Sequence, residues 1–203
     1  IDTLRQGDHK YVVIIDYKSG RKQLDISQIF TGLELQLLTY MFVALLNIGG
    51  DAIPAAVLYC YVRNDRVSLE YRVSDEDKKK LYESKGKLTG FYLDDGQVMQ
   101  QLDTSMQGFS DFLNLRLKKD GTLSDASHTL YNEAGWSHLL DWAARQIEDI
   151  AGHIGDGDIS IHPVLLGQKA PCSYCPYRPV CRFDVAMACL LYTSPSPRDR
   201  SLS

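Results

Sequence analysis

The sequence predicts a mixed α/β fold in which buried strands alternate with helices. Residues 11–16 form a continuous apolar run that ends in a carboxylate, which is typical of a strand buried on both faces. Residues 32–47 are long, apolar and uninterrupted by Pro or by an internal Gly, so they predict a helix buried nearly all round. Residues 55–62 form a second apolar strand. Because a strand, a helix and a strand follow one another, the pattern indicates an α/β core.

The rest of the chain predicts shorter elements and one long helix. The shorter elements are a strand at 67–73 that pairs with the strand at 55–62, an exposed helix at 75–85, a helical turn at 97–102, a strand at 112–117 with a turn at 120–121, and an extended segment at 159–166. Residues 132–154 carry apolar side chains at helical spacing, so they predict an amphipathic helix that packs on the core.

Composition and charge exclude several classes of protein. The 203 residues are 44% hydrophobic and 24% charged, which is an ordinary globular composition in a chain long enough to bury a core. There is no run of 18 apolar residues, so no membrane-spanning helix is expected. A net charge of −4 excludes a strongly basic DNA-coating protein. It leaves open a nuclease with a local basic groove beside an acidic metal site, since net charge averages over both.

Asp16, at the end of the first buried strand, is the centre of a candidate catalytic site. Asp2 lies 14 residues earlier, and a hairpin would allow the two carboxylates to converge on Mg²⁺, which prefers oxygen ligands. Lys18 follows Asp16 by two residues, so both side chains point to one face of a strand. There Lys18 can position a water or stabilise negative charge on a phosphoryl group. An Asp-Tyr-Lys triplet also occurs at strand ends without a catalytic role, and by itself the pattern leaves this open.

Gln36 and Tyr40 are the polar residues that stand out on the apolar helix. They are four residues apart and therefore share one helix face. Polar groups on so apolar a helix need hydrogen-bond partners. Those partners could be Asp16 or Lys18, a nucleic-acid backbone, or other groups of the core.

Three cysteines near the end of the chain form a candidate metal-binding segment. Cys172, Cys175 and Cys181 have the spacing C-x₂-C-x₅-C, which indicates metal ligation in a reducing compartment and not a secreted disulfide framework. A fourth ligand must come from elsewhere: from Cys60, from a His, or from a residue upstream of Ile1. Cys60 lies inside an apolar strand, where a free cysteine is usually a core residue. The spacing permits either zinc or a [4Fe–4S] cluster.

The order of these motifs resembles the RecB-like branch of the PD-(D/E)XK nucleases. The motifs are Ile1-Asp2, then I-D-Y-K-S-G at 15–20, then G-L-E-L-Q-L-L-T-Y at 32–40. The cysteine spacing narrows the resemblance to the iron–sulfur subset. Within it the chain is most similar to the C-terminal nuclease domains of the AddB type, a likeness that extends through residues 55–59, 117–123, 159–163 and 171–175. The likeness covers residues 1–184.

The resemblance implies a fold and a set of site residues. The fold is a PD-(D/E)XK restriction-endonuclease-like core at residues 1–170, a mixed central sheet flanked by helices, with a cysteine-bearing extension at 171–185. The implied roles are Mg²⁺ ligation by Asp2 and Asp16, catalysis by Lys18, a Q-x₃-Y motif at Gln36 and Tyr40, and [4Fe–4S] ligation by Cys172, Cys175 and Cys181. The fourth cluster cysteine would lie upstream of the nuclease core.

The resemblance also implies an activity and partners. The expected function is a Mg²⁺-dependent DNA exonuclease in the bacterial cytoplasm that resects double-strand breaks for recombinational repair. Its expected partners are single-stranded or unwinding DNA and an AddA-like protein that supplies the ATP-driven motor. Two alternatives remain open: a free-standing iron–sulfur RecB-like exonuclease of the CRISPR-associated type, and a non-catalytic module that holds single-stranded DNA.

The two ends of the chain carry further expectations. Residues 189–203 change abruptly in composition and resemble the translated read-through of a sequencing adapter, so we expect an artefactual disordered tail. A genuine disordered Ser/Pro tail is the alternative. Because Ile1 stands inside a motif, we expect the chain to be part of a longer protein.

Overall fold

The computed structural model describes residues 1–62, 74, 86–124, 129–161, 163, 164, 166 and 171–181. The strand expected at 67–73, the helix expected at 75–85 and the tail at 189–203 lie outside the described residues. The chain divides into two compact units. The first contains Ile1–Leu24 and Leu35–Ala144, and the second contains Asp25–Glu34 and the described residues from Arg145 onward. The domain boundary expected after residue 170 stays a prediction.

The described part of the first unit is built on one mixed sheet, with its five strands in sequence order. The strands are β1 (Asp2–Gln6), β2 (His9–Lys18), β3 (Ala52–Tyr61), β4 (Thr89–Leu93) and β5 (Leu130–Tyr131). The pairs β1–β2 and β3–β4 are antiparallel, whereas β2–β3 and β4–β5 are parallel. The predicted mixed α/β core with a central sheet is therefore confirmed.

The two central strands are apolar because both of their faces are covered. In β2, Tyr11 to Ile14 are buried in succession, and in β3 the same holds for Ala55 to Tyr59. Such continuous runs are typical of parallel strands inside an α/β sheet. The register between these strands shifts beside Pro54, where Val12 pairs with Pro54 and Val13 with Ala56. Because proline has no N–H to donate, a bulge is where an inner strand accommodates it.

Five α-helices are assigned among the described residues. They are α1 (Ile26–Phe30), α2 (Gln36–Ile48), α3 (Gly96–Leu102), α4 (Glu133–Gly155) and α5 (Arg178–Cys181), with a 3₁₀ helix at Pro171–Tyr174. The helices α3 and α4 lie where the sequence predicts them. The side chains of Asp25 and Asp95 accept hydrogen bonds from the first backbone N–H groups of α1 and α3, as N-cap residues do. None of the described helices combines the length and apolar character that a bilayer crossing requires.

The expectation that α2 is buried nearly all round is wrong. Only Leu37, Leu38, Met41 and Ala44 are buried, and Leu46 is 67% exposed. As the crossover between parallel strands β2 and β3, this helix packs on the sheet with one side only. The helix α2 therefore carries more apolar side chains than it buries against the described residues.

Two further expectations are corrected by the structure. Residues 112–117 form no continuous strand, only isolated bridges such as Phe109 with Arg116. The reason is local, since the Ser110 hydroxyl accepts hydrogen bonds from two successive backbone N–H groups and bends the chain. In α4, the first half is buried around Trp136, whereas Ile154 in the second half is 74% exposed.

Candidate active site

A carboxylate and a lysine meet at the carboxyl end of β2. The Lys18 ammonium lies 2.6 Å from Oδ2 of Asp16, and both side chains are partly shielded from solvent. They share a sheet face because they are two residues apart on one strand. The Asp16 Oδ2 atom is buried and accepts no hydrogen bond of acceptable geometry from the described residues, so the ion pair is its contact.

The helix α2 completes a chain of polar contacts with this pair. Lys18 donates a hydrogen bond of 2.9 Å to Oε1 of Gln36, and Nε2 of Gln36 donates one of 2.9 Å to the Tyr40 hydroxyl. Of the partners left open for these two residues, the structure therefore shows Lys18 for Gln36, and Gln36 itself for Tyr40. Their roles in catalysis stay predictions. One lysine is thus held between an anion and an amide oxygen, which restricts where its remaining N–H bond can point.

Asp2 is the predicted site residue that the structure does not bring to the others. The expected β1–β2 hairpin is present, but its register pairs Asp2 with Val13. Directly paired residues point to the same face of a sheet, so Asp2 shares a face with Val13 and not with Asp16. The side chain is exposed. Its assigned role as a metal ligand stays a prediction, with a register that separates the two carboxylates.

The carboxylate of Asp16 has the chemistry that a protein ligand of Mg²⁺ requires. A buried carboxylate oxygen without a satisfied hydrogen bond, as on Asp16, is a suitable ligand atom. In the described part of the chain, no three His, Cys, Asp or Glu side chains lie together so that they could hold a metal ion. Since Mg²⁺ is often bound through one or two carboxylates together with substrate phosphates and water, Asp16 fits as a protein ligand of such a site.

The cysteine segment belongs to the second unit. Cys172 lies in the 3₁₀ helix, Cys175 follows it, and Cys181 is the last residue of α5. All three are free thiols, two of them exposed. A backbone hydrogen bond of 3.3 Å from the N–H of Cys175 to the carbonyl of Cys172 folds the C-x₂-C segment into a turn. The donor set fits a thiolate-bound metal or cluster, although among the described residues these side chains do not converge.

Aromatic and basic residues that the sequence analysis did not single out also face the site. In the β2–β3 register Tyr59 pairs with Asp16, so its ring lies on the same face. The Lys18 and Lys22 ammonium groups lie 5.5 and 5.2 Å from the centre of that ring. Arg21 lies 5.7 Å from the ring centre of Tyr61 in the same way. For the basic residues the sequence held a signal, since Arg21 and Lys22 directly follow the D-Y-K-S-G motif.

Comparison with known proteins agrees with this geometry. The chain belongs to the PD-(D/E)XK nuclease superfamily, whose family model matches residues 1–182. The family resemblance and fold class expected from the order of the motifs are thereby confirmed.

Three curated relatives are each named as one of the subunits of an ATP-dependent helicase/deoxyribonuclease. The protein from Moorella thermoacetica is 37% identical over 188 residues, the one from Thermoanaerobacter sp. (strain X514) 33% over 187, and the one from Bacillus mycoides 34% over 194. Each match covers 91–92% of this chain and 16% of the relative. The chain therefore spans about a sixth of the length of these relatives.

Proposed function

We propose that this chain is the metal-dependent deoxyribonuclease domain of a helicase–nuclease protein of the AddB type. The observation that carries the proposal is the contact chain from Asp16 through Lys18 to Gln36, in a chain that belongs to a nuclease superfamily. The names of the relatives support deoxyribonuclease activity within a larger assembly.

Each residue of this contact chain has a role in the proposed mechanism. Asp16 would hold Mg²⁺, which when bound neutralises charge on the phosphodiester and lowers the pKa of a water. Lys18 would donate a hydrogen bond to a phosphate oxygen or to the attacking water, because its ammonium is oriented toward the same place as the Asp16 carboxylate. Gln36 would keep Lys18 in that orientation, and Tyr40 would do the same for the amide of Gln36.

The proposal extends to the parent protein. In it, this domain would degrade single-stranded or unwinding DNA exonucleolytically during resection of double-strand breaks. An AddA-like partner protein would supply the ATP-driven motor. The cysteines Cys172, Cys175 and Cys181 would bind a [4Fe–4S] cluster together with a fourth ligand from elsewhere, and their C-x₂-C-x₅-C spacing supports this assignment.

The test is cleavage of end-labelled single-stranded DNA in Mg²⁺ by the wild-type chain and by Asp16→Asn. We expect the variant to lose at least about a hundredfold in rate, because it removes the ligand charge at the reacting phosphate. Asp8→Asn is the matched control, since it removes an exposed carboxylate charge from the turn between β1 and β2, where no catalytic role is assigned. Full cleavage by Asp16→Asn would overturn the proposal. A closed circular single-stranded DNA distinguishes exonucleolytic from endonucleolytic cleavage, because an exonuclease leaves a circle without ends intact.

A further inference from the structure

Two clefts of the first unit meet beside the candidate active site. One is lined by Lys18, Arg21, Lys22 and Lys87 together with the rings of Tyr59 and Tyr61. The other is lined by Lys87, Phe109 and Arg116 among others. Lys87 and Asn114 line both clefts, so the two clefts adjoin. Together they are called the groove, which begins at the candidate catalytic residue Lys18.

The described lining of this groove is basic. It carries five cationic side chains, those of Lys18, Arg21, Lys22, Lys87 and Arg116, and no carboxylate among its described residues. The chain as a whole has a net charge of −4, so this concentration of positive charge is local. A basic groove with low-dielectric walls attracts a polyanion.

Aromatic rings accompany the charges along the groove. The partly exposed Tyr61 lies near its beginning beside the buried Tyr59, and Phe109, which is 71% exposed, lies at its far end. The Arg116 guanidinium lies 4.9 Å from the centre of the Phe109 ring. Alternation of cations with aromatic rings is the pattern by which proteins hold single-stranded nucleic acid, since bases stack on rings while phosphates bind cations.

The loop that presents Phe109 is held in place by its own hydrogen bonds. The N–H of Ser110 donates to the carbonyl of Leu115 at 3.1 Å, and the N–H of Leu117 donates to that of Gly108 at 2.8 Å. The hydroxyl of Ser110 donates to the buried carboxylate of Asp103. An exposed aromatic ring on a fixed loop is preorganised for binding, because little conformational entropy is lost when a ligand stacks on it.

We propose that the groove from Lys18 to Phe109 binds single-stranded DNA, with a phosphate at Arg21 and Lys22 and a base stacked on Phe109. This inference rests on the proposed function, since it names the substrate path to that active site. A strand bound in this way would present a phosphodiester bond to Asp16 and Lys18. A duplex would lack the free base face that Phe109 requires.

The experiment measures binding and not cleavage. A fluorescently labelled oligothymidylate is titrated with the wild-type chain in EDTA, and anisotropy is recorded at several salt concentrations. Phe109→Ala should weaken binding by about fivefold or more at every salt concentration, because it removes a stacking platform. Phe112→Ala is the matched control, since that residue is also exposed, at 64%, and lines neither of the two clefts.

Salt dependence separates the cationic contacts from stacking. Lys22→Ala should reduce the slope of log K against log salt by about 0.7, the value for one phosphate contact in a single strand. Phe109→Ala should leave this slope unchanged. Arg5→Ala, which removes an exposed cation from β1, should alter neither the slope nor the affinity.

Each contrary result is distinct from failure of the proposed nuclease function. Wild-type affinity in both Phe109→Ala and Lys22→Ala would overturn the groove, even if Asp16→Asn still abolishes cleavage. Equally tight binding of duplex and single strand, with equal loss in Phe109→Ala, would overturn the single-strand assignment. Conversely, binding that behaves as described in a chain that cleaves nothing would sustain the groove and overturn only the nuclease proposal.

Discussion

The side-chain oxygen of Gln36 accepts a hydrogen bond of 2.9 Å from the ammonium of Lys18, which joins helix α2 to the end of strand β2. The two residues are 18 positions apart in sequence, and the crossover of the parallel β2–β3 pair brings them together. Through this contact Gln36 restricts the orientation of the proposed catalytic lysine.

Replacement of Gln36 by Leu tests that control. The variant removes the acceptor for Lys18 and the donor to Tyr40, so we expect cleavage to slow about tenfold or more, in line with a lost hydrogen bond to a charged group. Binding of single-stranded DNA in EDTA should change little. Asn47→Ala is the control on the same helix, because among the described residues its side chain bonds only to the helix carbonyl of Val43. An unimpaired cleavage rate in Gln36→Leu would show that Lys18 needs no such support.

Gly90 lies where strands β3 and β4 approach each other closely. A Cβ atom at this position would lie 1.9 Å from the carbonyl oxygen of Val57, so backbone must move to admit it. We expect Gly90→Ala to cost at least about 1–3 kcal/mol of unfolding free energy, measured by chemical denaturation. Gly152→Ala should stabilise the chain by about 0.5–1 kcal/mol, because an added methyl group on α4 meets nothing within 4 Å. Equal stability of the two variants would contradict this account.

The carboxylate of Asp103 predicts a pH dependence of stability. Burial raises the pKa of this carboxyl group. Hydrogen bonds from Ser105, Ser110 and the backbone of Phe112 lower the pKa by more than burial raises it, so the pKa lies below its ordinary value of 3.8. A group with a lowered folded-state pKa stabilises the fold above its unfolded value and loses that contribution as pH falls through the folded value.

The corresponding measurement is the melting temperature of wild type and Asp103→Asn as a function of pH. The wild type should melt higher at pH 7, and the difference should shrink as the pH falls below 3.8. A difference that is constant across this range would show that the charge on Asp103 has no part in stabilising the loop.

Cys175 tests the proposed cluster. In protein purified without oxygen, Cys175→Ser should bind less iron and melt at a lower temperature, because metal binding contributes folding free energy to its segment. We expect this variant to lose more in stability and DNA-end binding than in the chemistry at Asp16. Val180→Ala is the control, since Val180 lies in the same segment, is 82% exposed and carries no atom that binds a metal. Unchanged melting and iron content in Cys175→Ser would count against the cluster.

Local sequence patterns predicted most of the elements that position the site. The apolar run before Asp16, the spacing from Gln36 to Tyr40 and the amphipathic pattern around Trp136 correspond to β2, α2 and α4. These predictions succeed because hydrophobic periodicity reflects which face of an element is buried. They fail where contacts from elsewhere intervene, as at 112–117, where hydrogen bonds to the Ser110 hydroxyl replace strand pairing.

Sequence by itself determined the mixed fold, the Asp16–Lys18 pair and the resemblance to the nuclease superfamily, because each depends on the types and spacing of residues that are close together in the chain. Only the tertiary structure decided the positions of Asp2 and of the groove. The register of β1 against β2 places Asp2 on the face opposite Asp16, and a shift of one residue would have reversed that outcome. The groove joins Lys22 to Phe109 across five stretches of the chain that are separated in sequence, a proximity that only the tertiary structure creates.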